Sequence, residues 1–135
     1  MEYFEIKYKE ELYTIFRIGI GVLYLLFGVQ KLFGLWGMPG GAAVFGTLMW
    51  YAGAGELLIG LGLVTGVLTR LASAFGVIQM IVAYYLGHVM SSGSWNPAAN
   101  QGAPALVFML AFLMTFAYGA GKCSLEKKVF RKELF

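Results

Sequence analysis

The chain has 135 residues, of which 59% are hydrophobic and only 13% are charged, and its mean hydropathy is +0.73. This composition excludes an ordinary water-soluble domain. One Cys and one His are too few for a zinc, iron–sulfur or haem site, and no nucleotide motif is present, so we expect no metal, haem or nucleotide. The net charge of +3 does not indicate nucleic acid, because most cations flank apolar stretches.

Four apolar stretches follow one another along the chain. They cover residues 13–35, 43–64, 68–89 and 103–118, and each is of the order of length that a helix needs to cross a hydrocarbon layer roughly 30 Å thick. Short amphipathic segments before and after them are typical of chain lying along a membrane surface. The sequence therefore predicts an all-α fold: one integral-membrane four-helix bundle over residues 1–135.

The distribution of Lys and Arg predicts the orientation of the bundle. Nine of these residues lie on the side of the two termini, and only Lys31 lies on the other side. Because cytoplasmic loops carry the excess of positive charge, both termini are predicted to be cytoplasmic. We expect a multi-pass membrane protein.

The second span is rich in small residues, including Gly46, Gly53, Gly55, Gly60 and Gly62. In hydrocarbon, close backbone approach over small residues supplies helix packing. This pattern places the second helix at the centre of the bundle. It also offers a seam for a homo-oligomer, or room for a ligand.

Glu56 is the acidic residue inside the second span, where a charge costs about 3 kcal/mol to insert. Counting residues from the helix ends places Gln79 at a similar depth and lets the long side chains of Arg17 and Arg70 reach inward. We therefore predict an intramembrane polar cluster of these four residues. It is either a structural ion pair or a proton or ligand site, and snorkelling to the membrane surface is the alternative for both arginines.

A second polar group is predicted at the other end of the bundle, where Gln30 and Lys31 close the first helix and His88 closes the third. Asn96 and Asn100 lie in the long loop that follows. Together these residues form a candidate outer pocket, with interfacial solvation as the alternative for His88. Nucleophile, base and orienting group do not occur at a recognisable spacing, so the sequence assigns no catalytic residue.

Four short motifs connect the chain to a known family. They are an Arg followed by Gly-x-x-Lys-Leu in the first helix, Gly-x-Gly-Glu with a glycine-rich continuation in the second, Thr-Arg opening the third, and Gly-x-Gly-x-x-Ser-Leu-acid after the fourth. Their residues are Arg17, Gly28, Lys31, Leu32, Gly53, Gly55, Glu56, Gly60, Gly62, Leu63, Thr69, Arg70, Gly119, Gly121, Ser124, Leu125 and Glu126. In their order and spacing the chain resembles the DoxX family of small four-helix membrane proteins over essentially its whole length.

The resemblance implies a protein of a prokaryotic inner membrane. It also implies a redox-associated subunit, since members are associated with thiosulfate-to-quinone electron transfer or with membrane complexes that protect against oxidants. A quinone or similar amphiphile is the implied ligand, and a soluble or membrane oxidoreductase subunit is the implied partner beside the lipid bilayer. The alternatives are a non-catalytic lipid or small-molecule binding or transport module, and a membrane anchor for soluble oxidoreductases.

Two positions depart from the family pattern. Many relatives place a Glu at the start of the fourth helix, where this chain has residues 102–104 with the sequence Gly-Ala-Pro, and Glu126 stands where Asp is more usual. The first departure prevents the transfer of any role for that acid.

Overall fold

The structure, a computed structural model, describes residues 2–133, with side chains from residue 7 onward, and every regular element among them is helical. The all-α prediction is confirmed. The helices are α1 (Glu2–Phe33), α2 (Leu48–Thr65), α3 (Thr69–Tyr84), α4 (Ala103–Tyr118) and α5 (Leu125–Phe130). From α3 the chain continues through a π-helical turn (Tyr85–Val89) and a last helical turn (Met90–Ser92).

Three helical stretches are long and apolar enough to cross a membrane: Lys7–Phe33, Leu48–Thr65 and Thr69–Ser92. α4 is equally apolar, but its 16 residues extend only about 24 Å at 1.5 Å per residue. The second helix begins at Leu48, later than predicted, because glycines with positive φ hold the preceding segment in a loop. The Thr47 side chain then caps α2 by accepting a hydrogen bond from the Trp50 amide.

The chain segments outside the apolar layer differ at the two termini. α1 runs without interruption from Glu2, so the predicted N-terminal surface segment is a continuation of this helix. The C-terminal segment is a separate helix, α5, capped as its sequence suggests by Ser124, whose side chain accepts from the Lys127 amide. The amphipathic segments predicted to lie along the membrane surface also include Tyr3, Phe4, Ile6 and Leu134. The side chains of the first three, and the whole of Leu134, lie outside the described residues.

The helices pack mainly as two pairs, α1 with α2 and α3 with α4, with a smaller contact between α2 and α3. In the second pair the Phe112 ring packs directly on Gly76, and the buried Ser73 and Thr115 hydroxyls lie 2.6 Å apart. We call the end of the bundle that holds the α2–α3 turn and α5 the terminal end. The opposite end, with the connections 34–47 and 93–102, is the loop end.

Candidate functional site

A buried ion pair joins α1 to α2 inside the apolar layer. The Lys31 amine donates hydrogen bonds to both Glu56 carboxylate oxygens, with Nζ–Oε1 and Nζ–Oε2 distances of 2.8 and 2.9 Å. The Glu56 side chain is only 6% exposed, and that of Lys31 is 20% exposed. Because an isolated charge at this depth is costly, each group compensates the other.

The ion pair lies in a contact between α1 and α2 that follows a heptad repeat, which we call the α1–α2 seam. On both helices the contact residues are separated by alternating intervals of three and four residues. The mean interval is the 3.5-residue period of helix pairs that form a left-handed supercoil. The seam residues are Arg17, Gly21, Tyr24, Gly28 and Lys31 on α1, and Gly53, Glu56, Gly60 and Leu63 on α2.

Glycine brings the two backbones of the seam into close contact. A Cβ atom added at Gly28 would lie 2.6 Å from the Leu57 backbone nitrogen, and one added at Gly60 would lie 2.7 Å from the Leu25 backbone nitrogen. Real Cβ atoms do not approach so closely, so any larger residue would separate the helices. The glycines therefore set the distance across which the ion pair forms.

Helix direction explains why Lys31 is the partner of Glu56. Every Cα–Cβ bond in a helix tilts toward the N-terminus of that helix. α1 and α2 are antiparallel neighbours, so Lys31 near the end of α1 tilts inward while Glu56 tilts toward the loop end, and the two side chains converge. Arg17, which precedes Lys31 on α1, also tilts toward the terminal end, and this direction carries its side chain away from Glu56.

Tyr24 is a further polar residue of the seam, and the sequence analysis missed it. Its side chain is 1% exposed, its ring packs on Phe108 and Phe112 of α4, and its hydroxyl has no hydrogen-bond partner among the described residues. The Tyr24 hydroxyl lies within electrostatic reach of the Glu56 carboxylate. The signal in the sequence was the heptad spacing from Arg17 through Tyr24 to Lys31.

Arg17 does not pair with Glu56, so this part of the predicted intramembrane cluster is wrong. Its guanidinium group is fully buried and donates to the Leu63 carbonyl, and also to the Lys122 and Cys123 carbonyls at 3.2 and 3.0 Å. The last carbonyls of a helix lack partners within the helix. Arg17 therefore ties α1 to the end of α2 and to the segment after α4, an arrangement we call the Arg17 clamp.

Arg70 and Gln79 also lie apart from the ion pair. The Arg70 Nε atom donates to the Phe116 carbonyl at 3.2 Å, and its Nη1 lies 3.7 Å from Glu133, both at the terminal end. The Gln79 side chain donates to the Ala52 carbonyl at 2.8 Å, on the side of α2 that faces α3. The predicted cluster is thus replaced by Glu56 with Lys31, because Arg70 is held by other acceptors and Gln79 by backbone.

Two members of the predicted outer pocket, Gln30 and Lys31, lie in the last turn of α1 and have different partners. Gln30 donates to the Trp36 carbonyl at 3.4 Å, which stabilises the turn after α1. Lys31 is directed inward to Glu56 rather than toward the loop end.

The other members are held within the connection between α3 and α4. His88 Nδ1 lies 3.1 Å from the Asn100 carbonyl oxygen, and the Asn100 side-chain amide donates to the Tyr84 hydroxyl at 3.2 Å. The Asn96 side chain accepts from the Ala98 amide. These bonds order the loop, and a ligand pocket shared with Gln30 stays a prediction.

Comparison with known proteins decides the family. The DoxX family profile matches residues 12–89 of the chain. The chain belongs to the DoxX family. A protein of Haemophilus influenzae, named only as an uncharacterized protein, is 33% identical over 129 residues, which cover 93% of this chain and 96% of that protein. No solved structure gives a significant match.

The DoxX match includes the α1–α2 seam with both of its cations and Glu56. The fourth DoxX-like motif lies beyond it but contacts the first, because Arg17 donates to the Cys123 carbonyl. Ser124 of the fourth motif also donates to the Gly66 carbonyl in the turn after α2. Glu126, the acid of that motif, is buried, and its carboxyl group forms no hydrogen bond with the described residues. Motifs distant in sequence thus meet in two places, the ion pair and the Arg17 clamp.

This DoxX protein also has an apolar groove of about 810 Å³ between α2 and α3. On α2 the groove is lined by Gly55 and Gly62, whose lack of side chains gives it depth, and on α3 it is lined by Phe75. Gln79, near the middle of α3, is a polar residue of the lining. Gly55 directly precedes Glu56, so the groove and the ion pair occupy neighbouring faces of the same helix.

Proposed function

We propose that this DoxX membrane protein is a redox-associated subunit that binds a quinone or a similar amphiphile at the Lys31–Glu56 pair. The observation that supports this proposal is the pair itself, at 2.8 Å between Lys31 Nζ and Glu56 Oε1. Ionisable groups inside membrane spans commonly mark ligand sites or proton relays. The subunit crosses a prokaryotic inner membrane four times with both termini in the cytoplasm, and an oxidoreductase partner supplies the electrons.

Each polar group of the site has a defined chemical capacity toward such a ligand. The Lys31 ammonium donates to a carbonyl oxygen of the ligand, and the Glu56 carboxyl accepts or returns the proton that accompanies reduction. The buried Tyr24 hydroxyl, which has no hydrogen-bond partner among the described residues, is a further donor. The groove between α2 and α3 provides apolar surface for a tail.

The experiment is a titration of purified protein, reconstituted in quinone-free nanodiscs, with a short-chain quinone. We expect saturable binding that Glu56→Gln weakens about tenfold or more, since a charged hydrogen-bonding partner is lost. Glu11→Gln is the matched control, because Glu11 forms an ion pair of nearly the same length with Lys122, at 2.9 Å, on the exposed surface. Absence of binding, or equal binding by both variants, would contradict the proposal.

The groove favours a second candidate function, a lipid or small-molecule binding module without electron transfer. Its lining is almost entirely apolar, and about 810 Å³ is within the size range of ligand pockets. If this is the function, we expect mass spectrometry of ligands extracted from the purified protein to find a redox-inactive amphiphile. Gly62→Leu, which fills the groove, then reduces its recovery, while Glu56→Gln leaves it unchanged.

A further inference from the structure

A second cavity lies at the terminal end, between α1 and α5. It has a volume of about 640 Å³ and is lined on one side by Glu10 of α1 and on the other by residues 121–125, Lys127 and Lys128. We call it the tail cavity. It is separate from the ion pair, which lies in the part of the α1–α2 seam nearer the loop end.

The lining of the tail cavity is positively charged. Lys122, Lys127 and Lys128 face one acid, Glu10. The Lys122 amine donates to Glu11 at 2.9 Å, and this hydrogen bond raises the pKa of Lys122, so its charge is kept at neutral pH.

The other two lysines are less completely neutralised. Lys127 donates to the Gly121 carbonyl at 3.0 Å and lies 3.6 Å from Glu133. The Lys128 side-chain amine has no ion-pair or hydrogen-bond partner among the described residues. The lining thus carries three cations against one acid, and the ammonium group of Lys128 is uncommitted.

Apolar side chains continue outward from this charged cavity. Leu125 lines it, and Val129 and Phe130 on the same short helix are 70% and 56% exposed. α5 follows the end of α4 at Tyr118 after a short connection, at the level where a membrane span ends and lipid headgroups begin. A helix with cationic and apolar faces at this level is typical of chain resting on a bilayer surface.

We propose that the tail cavity binds the phosphate group of an anionic phospholipid from the adjacent leaflet. The phosphate contacts Lys127 and Lys128, while the acyl chains extend over the apolar face of α5 into the hydrocarbon layer. Charge complementarity selects the anion, and the exposed Val129 and Phe130 select a lipid over a free phosphate. The proposal is independent of any quinone.

The test measures binding of phosphatidylglycerol and of zwitterionic phosphatidylcholine to the full-length protein in detergent by native mass spectrometry. We expect preference for phosphatidylglycerol, and a loss of about fivefold in its affinity for each of Lys127→Gln and Lys128→Gln, the usual contribution of a cation near an anionic lipid. Lys132→Gln removes the same charge outside the cavity lining and leaves the affinity unchanged. Lys128→Arg retains the preference.

Three results would overturn the proposal. They are equal binding of the two lipids, an equal loss in Lys132→Gln and Lys128→Gln, and displacement of phosphatidylglycerol by millimolar inorganic phosphate. Lys128 is exposed at the surface, so its variants are expected to fold, and an unchanged thermal unfolding midpoint verifies this.

Discussion

The two cations of the α1–α2 seam lie two heptads apart and meet different acceptors. Arg17, at the terminal end, is fully buried and donates to three backbone carbonyls, whereas Lys31 donates to a side-chain carboxylate. Backbone carbonyls are fixed in place and do not exchange protons at physiological pH, but a carboxylate does. The difference indicates that the Arg17 clamp maintains the architecture and that the Lys31–Glu56 pair is the candidate for chemistry.

The position of each cation along α2 explains the difference. Arg17 lies beside the C-terminal end of α2, where carbonyl oxygens lack helical partners and the helix dipole favours a cation. Lys31 lies beside Gly53 in the first half of α2, where the carbonyl oxygens are already bonded within the helix. A cation at that level needs an acidic side chain, and Glu56 provides it.

Replacing Arg17 should have the largest effect on stability. Arg17→Leu leaves the Leu63, Lys122 and Cys123 carbonyls without their donor, and we expect a loss of about 4 kcal/mol in the free energy of unfolding. The measurement is chemical unfolding in mixed micelles. Limited proteolysis should also show earlier cleavage after α4, since the clamp holds that segment.

Arg70→Leu is the matched control for the clamp, because Arg70 is an arginine at the same end with a 41% exposed side chain. Its loss should cost less than about 1 kcal/mol, as expected for surface contacts. Similar losses for both variants would show that the clamp has no special structural role.

Breaking the Lys31–Glu56 pair should have the second-largest effect on the free energy of unfolding, and a double variant tests whether the two residues are coupled. Lys31→Met leaves the Glu56 carboxylate buried without its cation and should cost about 3 kcal/mol. Adding Glu56→Leu removes the uncompensated charge, and stability should return to within about 1 kcal/mol of the native chain. Quinone binding should be lost in both, which separates the stability of the pair from its proposed role.

The exposed pair of Glu11 and Lys122 is the control for this cycle. Lys122→Met should cause no measurable loss of stability, because water solvates both groups. The hydrogen bond to Glu11 raises the pKa of Lys122 above its ordinary value of 10.5. Any contribution of this pair is therefore complete at neutral pH. It is lost as the pH rises through that raised value, and also as the pH falls through the pKa of Glu11, which the hydrogen bond from Lys122 lowers. For the buried pair, additive effects of Lys31→Met and Glu56→Leu on the free energy of unfolding would contradict the assignment of Lys31 and Glu56 as a coupled pair.

The sequence predicted the helices better than the contacts between them. Hydropathy located all four apolar segments, and the Ser124 cap was readable from local spacing. The partner of Glu56 could not be identified in the same way. Counting residues from the helix ends gives the depth of Arg17 and Glu56 in the membrane, but it omits the direction in which their side chains tilt. With that direction and the heptad intervals included, Lys31 and Tyr24 could have been found beside Glu56.

The smallest predicted effect concerns the glycines that set the width of the seam. Gly28→Ala places a Cβ atom 2.6 Å from the Leu57 nitrogen, so the helices must separate, and we expect a loss of about 2 kcal/mol. Gly19→Ala is the control on the same helix, since nothing lies within 4 Å of an added Cβ there, and it should stabilise by up to about 1 kcal/mol. If backbone contact controls the reach of Lys31, Gly28→Ala should also weaken quinone binding while Gly19→Ala does not. Equal binding by the two variants would show that the long lysine side chain adapts to the wider seam, and the glycines would then serve packing alone.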